Sequence, residues 1–82
     1  MEKLQRLGFI AKDKDGSLVL INEDKEGFRV DEVIAAVWYE SDGKTIDEIA
    51  EKFCGEEKEK FELVKKDIEN IVTKLREVKL VR

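Results

Sequence analysis

The residues of this chain that could do acid–base chemistry are carboxylates that lie close together in the sequence. Asp13 and Asp15 form one pair, and Glu56 and Glu57 form another. Paired carboxylates act as general acid and base in many enzymes, where their surroundings push the two pKa values apart. Both pairs fall in predicted turns and exposed segments, where water solvates each charge. The pairs therefore predict solvated charge and not an active site.

Other groups that carry common enzyme chemistry are scarce. The chain has no histidine, one cysteine (Cys54) and five glycines, which are scattered singly. Histidine is the commonest acid–base group and metal ligand, a thiolate zinc site needs several cysteines, and a phosphate loop needs clustered glycines. We therefore expect a protein that is not an enzyme and that holds no metal and no cofactor.

Length and composition predict one small protein domain of residues 1–82. No apolar run approaches the roughly 20 residues that cross a bilayer, and the first residues lack the pattern of a signal peptide. A single cysteine cannot form an internal disulfide, which is typical of a reducing compartment. We therefore expect a cytoplasmic protein that does not bind a membrane.

Charged residues make up 44% of the chain, and the net charge is −4. An abundance of Lys and Glu with few amides is typical of thermophiles, so a thermophilic source is expected. Lys and Arg that neutralise phosphates supply most non-specific affinity for DNA. The acidic balance therefore argues against nucleic acid as a partner.

The first third of the chain predicts short strands. Two apolar runs, Leu7–Ile10 and Leu18–Ile21, flank the turn sequence Asp13–Gly16, which indicates a β-hairpin. After a second polar turn, Phe28–Val30 alternates in polarity and predicts a third strand.

The rest of the chain predicts helices, because apolar residues recur there at helical spacing. Asp31 is placed as an N-cap, Thr45 and Glu48 form a capping box, and Gly55 is typical of a position just beyond a helix. Trp38 lies on the apolar stripe of the first helix and is predicted to be in the core. The predicted fold is α+β and winged-helix-like, with short antiparallel strands followed by three helices over residues 31–41, 45–54 and 58–78.

Five segments, in this order and spacing, resemble the PqqD-like family. The resemblance extends from about residue 7 to residue 81, and this chain has Asn22 and Lys79 where the family often has Pro and Gly. The similar segments are Leu18–Glu23, Phe28–Asp31, Asp42–Ile49, Val64–Ile68 and Leu75–Val81.

This resemblance implies a winged-helix peptide chaperone, or the related recognition element of enzymes that modify ribosomally made peptides. Its partners would be a precursor peptide and a separate peptide-modifying enzyme. The leader segment of the precursor would add as a strand beside Phe28–Val30 and lie against the third helix. An edge strand offers unpaired N–H and C=O groups, so its chemistry suits such β-augmentation.

The predicted peptide contacts lie on the third strand and on the third helix. Ile68 and Val72 are candidates for the core as well. The full set is Phe28, Arg29 and Val30 on the strand, with Lys65, Ile68, Glu69, Val72 and Arg76 on the helix.

Two alternatives stay open, a winged-helix DNA-binding transcriptional regulator and a subunit that forms a homodimer through its edge strand. Between Glu56 and Lys79 the chain has seven basic and seven acidic residues. A helix that enters the major groove should not be neutral overall, because acids near phosphates weaken binding. The charge of the third helix therefore favours the peptide-binding hypothesis.

Overall fold

A computed structural model describes residues 3–82. Three strands precede three helices, and a short 3-10 turn at Lys58–Lys60 leads into the last helix. This order confirms the predicted α+β class. The elements are β1 (Phe9–Lys12), β2 (Leu18–Ile21), β3 (Gly27–Val30), α1 (Glu32–Glu40), α2 (Ile46–Cys54) and α3 (Phe61–Glu77).

The three strands form one antiparallel sheet in the order β1-β2-β3. The first turn is closed by the N–H of Asp13, which donates to the carbonyl of Ser17 (2.8 Å), and by the N–H of Gly16, which donates to the carbonyl of Asp13 (3.0 Å). The predicted hairpin and the third strand are therefore confirmed.

The first strand begins two residues later than the sequence predicts. Gly8 has a φ of +79°, which interrupts extended backbone. The N–H of Leu7 donates to the carbonyl of Leu80 (2.9 Å), and Arg6 forms an antiparallel bridge with Val81. The prediction of strand at Leu7 and Gly8 is wrong, because the residues before Phe9 pair with the end of the chain and not with β2.

Local hydrogen bonds set the starts of α1 and α2 where the sequence predicts them. Asp31 Oδ1 accepts from the N–H of Ile34 (2.8 Å). Thr45 and Glu48 exchange side-chain to backbone bonds of 3.0 and 3.2 Å, which complete the capping box. Each bond satisfies an N–H group that has no partner inside the helix. The third helix begins at Phe61 and not at residue 58, because residues 58–60 form the 3-10 turn.

The core lies between the sheet and the helices. Leu20 of β2 is fully buried, and it packs with buried residues of all three helices. Trp38 is buried as predicted, and its indole N–H is shared between the carbonyls of Leu7 (3.0 Å) and Leu80 (3.1 Å). The indole therefore holds both ends of the described chain against α1.

A carboxylate at the end of α1 joins this helix to α2. Glu40 accepts hydrogen bonds from Lys44 and from Lys52, whose Nζ lies 2.8 Å from Oε2. The side chain of Glu40 is only 14% exposed. The hydrogen bond from Lys44, followed by that from Lys52, holds the pKa of Glu40 below its ordinary value.

Replacing this carboxylate should change how stability depends on pH. Because the pKa of Glu40 is lowered by folding, its charge stabilises the native state above the unfolded-state pKa, and this contribution is lost as the pH falls through the folded-state pKa. Glu40→Gln should therefore lower the free energy of unfolding by up to about 1 kcal/mol at neutral pH. The difference from wild type should shrink as the pH falls below about 4.3.

Urea denaturation from pH 7 down to pH 3 measures this difference. Glu51→Gln is the matched control, because Glu51 is an exposed carboxylate on α2 with no ion-pair partner among residues 3–82. A deficit of Glu40→Gln that stays constant across the whole pH range would show that the charge of Glu40 does not stabilise the fold.

Candidate functional site

One edge of the sheet offers backbone groups to a partner. The strand β3 is bordered by β2 on one side, and no strand of residues 3–82 lies on its other side. An open edge of this kind can pair with another extended chain.

The hydrogen-bond pattern shows which residues of β3 face outward. The N–H of Asn22 donates to the carbonyl of Glu26 (3.0 Å), which makes these two residues a hydrogen-bonded pair. Hydrogen-bonded and non-bonded pairs alternate along an antiparallel ladder. In the register of β2 and β3, Phe28 and Val30 therefore bond to β2. The N–H and C=O groups of Gly27 and Arg29 point to the open edge.

The side chains of β3 alternate between two faces of the sheet. Phe28 lies opposite the fully buried Leu20, so Phe28 and Val30 face the helices, and both are half-buried. Arg29 lies on the outer face, where its guanidinium is 2.8 Å from Asp13. The backbone N–H of Lys14, and then Arg29, hold the pKa of Asp13 below its ordinary value.

The third helix has a buried stripe with a different flank on either side. Ile68, Val72 and Leu75 form the stripe and are at most 4% exposed. One flank faces α2, because Lys65 Nζ lies 2.9 Å from Asp47 Oδ1. The opposite flank, which we call the valine flank, consists of half-buried residues seven positions apart on one side of the helix, Val64, Ile71 and Val78.

The predicted charged contacts of α3 lie on the flank that faces α2. Lys65, Glu69 and Arg76 line an open pocket of about 200 Å³, together with Leu4 and the residues Thr45, Ile46 and Asp47 at the start of α2. The hydrogen bond to Asp47 raises the pKa of Lys65. Lys65, Glu69 and Arg76 therefore line the same pocket, and no residue of β3 lines it with them. That these three residues contact a peptide stays a prediction.

The two apolar residues predicted on α3 are part of the core. Ile68 is 2% exposed and Val72 is 1% exposed, so they lie behind the surface. The valine flank was missed as a candidate site, although its signal is present in the sequence as three aliphatic residues spaced by seven. That spacing gives one side of a helix, but it does not tell which neighbour the side faces.

The residues just after α3 are bonded to the loop between β2 and β3. Asn22 Nδ2 donates to the carbonyl of Val78 (2.8 Å), and Lys79 Nζ lies 3.0 Å from Asp24 Oδ2. Val78, at the C-terminal end of the valine flank, therefore lies beside the turn that precedes β3.

The described residues offer neither a metal site nor a membrane-spanning helix. No group of three His, Cys, Asp or Glu side chains in residues 3–82 is placed to hold a metal ion. No helix in this part of the chain is long and apolar enough to span a membrane.

A protein-family comparison decides the relationship of the chain. The family model described as Coenzyme PQQ synthesis protein D (PqqD) matches residues 17–81. The chain belongs to the PqqD family. Membership of the PqqD family implies a peptide-binding partner of a modifying enzyme in the biosynthesis of ribosomally made peptides, and it gives no support to the DNA-binding alternative.

The PqqD match includes the candidate site in full. It begins just before β2 and therefore contains β3 and α3, while β1 lies outside it. No curated protein and no solved structure matches the chain.

Proposed function

We propose that this protein binds the leader segment of a ribosomally made precursor peptide and presents it to a separate modifying enzyme, without catalysing a step itself. The observation that carries this proposal is the outward direction of the backbone groups of Gly27 and Arg29 at the open edge of β3. A peptide that pairs with these groups gains main-chain hydrogen bonds that depend little on its sequence.

The second wall of the proposed site is the valine flank of α3. A strand added beside β3 directs alternate side chains to the face that carries Phe28 and Val30, which is the face that the helices cover. The valine flank points away from α2, and its C-terminal end lies beside the turn before β3. Apolar peptide side chains would pack between this flank and β3, and we call this space the groove.

The length of the flank sets the length of the bound segment. The fourteen residue steps from Val64 to Val78 correspond to about 21 Å of helix. An extended peptide advances about 3.3 Å per residue, so roughly six or seven residues span the groove. Such a segment is expected to carry aliphatic or aromatic side chains at every second position.

Amide shift mapping tests this proposal. The probe is a synthetic dodecapeptide selected by phage display for binding to the wild-type protein, or the leader of a precursor encoded beside this gene. Its titration should shift the amides of Gly27–Val30 together with those of Val64, Ile71 and Val78, because these residues form the two walls.

The same spectra contain a control region. The amides of Asp42 to Glu48 lie in the turn and first turn of α2, away from the groove, and they should stay unshifted. Shifts that cluster there, with Gly27–Val30 unchanged, would contradict strand addition at β3.

A further inference from the structure

The turn between β2 and β3 contains a buried amide whose hydrogen-bonding capacity is fully used. Asn22 is 1% exposed. Its Oδ1 accepts from the N–H groups of Asp24 and Glu26, both at 3.0 Å. Its Nδ2 donates to Glu26 Oε1 (3.0 Å) and to the carbonyl of Val78 (2.8 Å). A side-chain amide has two donors and one oxygen acceptor with two lone pairs, so nothing is left unpaired.

Among the described residues, the buried polar side chains are those of Asn22, Ser41 and Thr45. Ser41 bonds to Val37 in its own helix (2.7 Å), and Thr45 bonds within its own cap. The bond from Asn22 to Val78 instead joins residues 56 positions apart. Asn22 is therefore the member of this set that connects two distant elements.

The backbone on both sides of this contact is held in an uncommon conformation. Lys25 has a φ of +68° and Lys79 a φ of +61°, and these are the residues other than glycine with positive φ in the part of the chain that is described. Residues that carry a Cβ rarely adopt a positive φ, and such a conformation persists only where the surrounding structure imposes it. The ion pair of Lys79 with Asp24 (3.0 Å) closes the same contact from outside.

We infer that Asn22 is a positioning residue of the peptide groove, an inference that rests on the proposed function. Its amide fixes the carbonyl of Val78, at the end of the valine flank, to the turn that runs directly into β3. It thereby sets the distance between the two walls. A peptide that must pair with β3 and pack against α3 at once needs that distance to be constant.

Two variants separate positioning from stability. Asn22→Asp keeps the size and the acceptor oxygen but loses both Nδ2 donors, so the bond to Val78 is lost. The selected dodecapeptide should bind it at least about tenfold more weakly. Ser41→Ala is the matched control, because it removes another buried hydrogen bond away from the groove, and its affinity should stay within about twofold of wild type.

Asn22→Ser serves if Asn22→Asp does not fold, because a serine hydroxyl can still accept from the turn but is too short to donate to the carbonyl of Val78. Its peptide binding should also weaken by at least about tenfold. Lys79→Gly tests the outer half of the same contact. Glycine accepts a positive φ without strain, so this variant should unfold at the same temperature as wild type or higher. It also loses the ion pair with Asp24, and peptide binding should weaken by about threefold. Lower affinity without lower stability is a result that a merely structural role would not give.

Each outcome bears on one of the two proposals. A wild-type protein that binds no peptide at Gly27 and Arg29 would overturn the proposed function, and the groove role of Asn22 with it. A wild type that binds, while Asn22→Asp, or Asn22→Ser in its place, binds equally well, would overturn the role of Asn22 alone. An equal loss of affinity in Ser41→Ala would do the same.

Discussion

Gly8→Ala should lower the free energy of unfolding by about 3 kcal/mol, because the new Cβ adds a steric clash to a strained backbone. Gly8 has a φ of +79°, and an added Cβ would lie 2.1 Å from the carbonyl oxygen of Ile21. The clash is with backbone, so no side-chain rotation relieves it. Since β1 begins at the next residue, the pairing of β1 with β2 should be displaced. Urea denaturation followed by circular dichroism measures the loss.

Gly16→Ala is the control for this prediction. Gly16 has a φ of +88°, but an added Cβ would meet nothing within 4 Å. Its cost should therefore be that of the backbone conformation alone, about 1 kcal/mol. Equal losses in Gly8→Ala and Gly16→Ala would show that the close approach of Gly8 to Ile21 does not limit stability.

Features with local causes could be predicted from the sequence. The caps of α1 and α2 depend on residues three positions apart, Asp31 with Ile34 and Thr45 with Glu48, and both are confirmed. The turn at Asp13–Gly16 is local as well. Order and spacing of these signals were sufficient for the α+β class and for the family.

Features set by distant contacts could not be predicted. Leu7 pairs with Leu80 because Gly8 turns the chain away from β2, and nothing near Leu7 in the sequence indicates this. The ion pair of Lys65 with Asp47 marks the flank of α3 that faces α2, and it joins two half-buried positions on different helices. Periodicity locates the two flanks of α3, but it does not assign their neighbours.

The two departures from the family pattern could be read in the sequence, but their connection could not. Lys79 has a positive φ, which the glycine expected there from the resemblance would adopt without strain. Asn22 stands where the resemblance leads us to expect proline, and it bonds to Val78, the residue just before Lys79. The structure therefore joins both departures in one contact, between the turn before β3 and the end of α3.

The structure, and not the sequence, shows which residues of β3 bond to β2 and which point to the open edge. This alternation determines which variant tests the binding edge. Proline lacks the backbone N–H. At Val30 it would delete a bond within the sheet, because Val30 is paired with Leu18. At Arg29 it would delete a donor at the open edge and leave the pairs of Phe28 and Val30 with β2 intact.

Arg29→Pro should weaken binding of the selected dodecapeptide by at least about tenfold, or about 1.4 kcal/mol. The variant removes the outward N–H, leaves the peptide carbonyl opposite it without a partner, and places the proline ring against the incoming strand. Proline is tolerated on edge strands, so the protein should stay folded. Isothermal titration calorimetry measures the affinity, and thermal unfolding verifies the fold.

Arg29→Ala is the control that isolates the backbone from the side chain. Both variants lose the ion pair of Arg29 with Asp13, which is exposed, with side chains 67% and 40% accessible. Only Arg29→Pro loses the N–H, because alanine retains it. Arg29→Ala should therefore bind within about threefold of wild type. If Arg29→Ala weakened binding as much as Arg29→Pro, the guanidinium would be the contact that matters, and main-chain pairing at β3 would be wrong. If neither variant changed binding, the peptide would lie elsewhere on the protein.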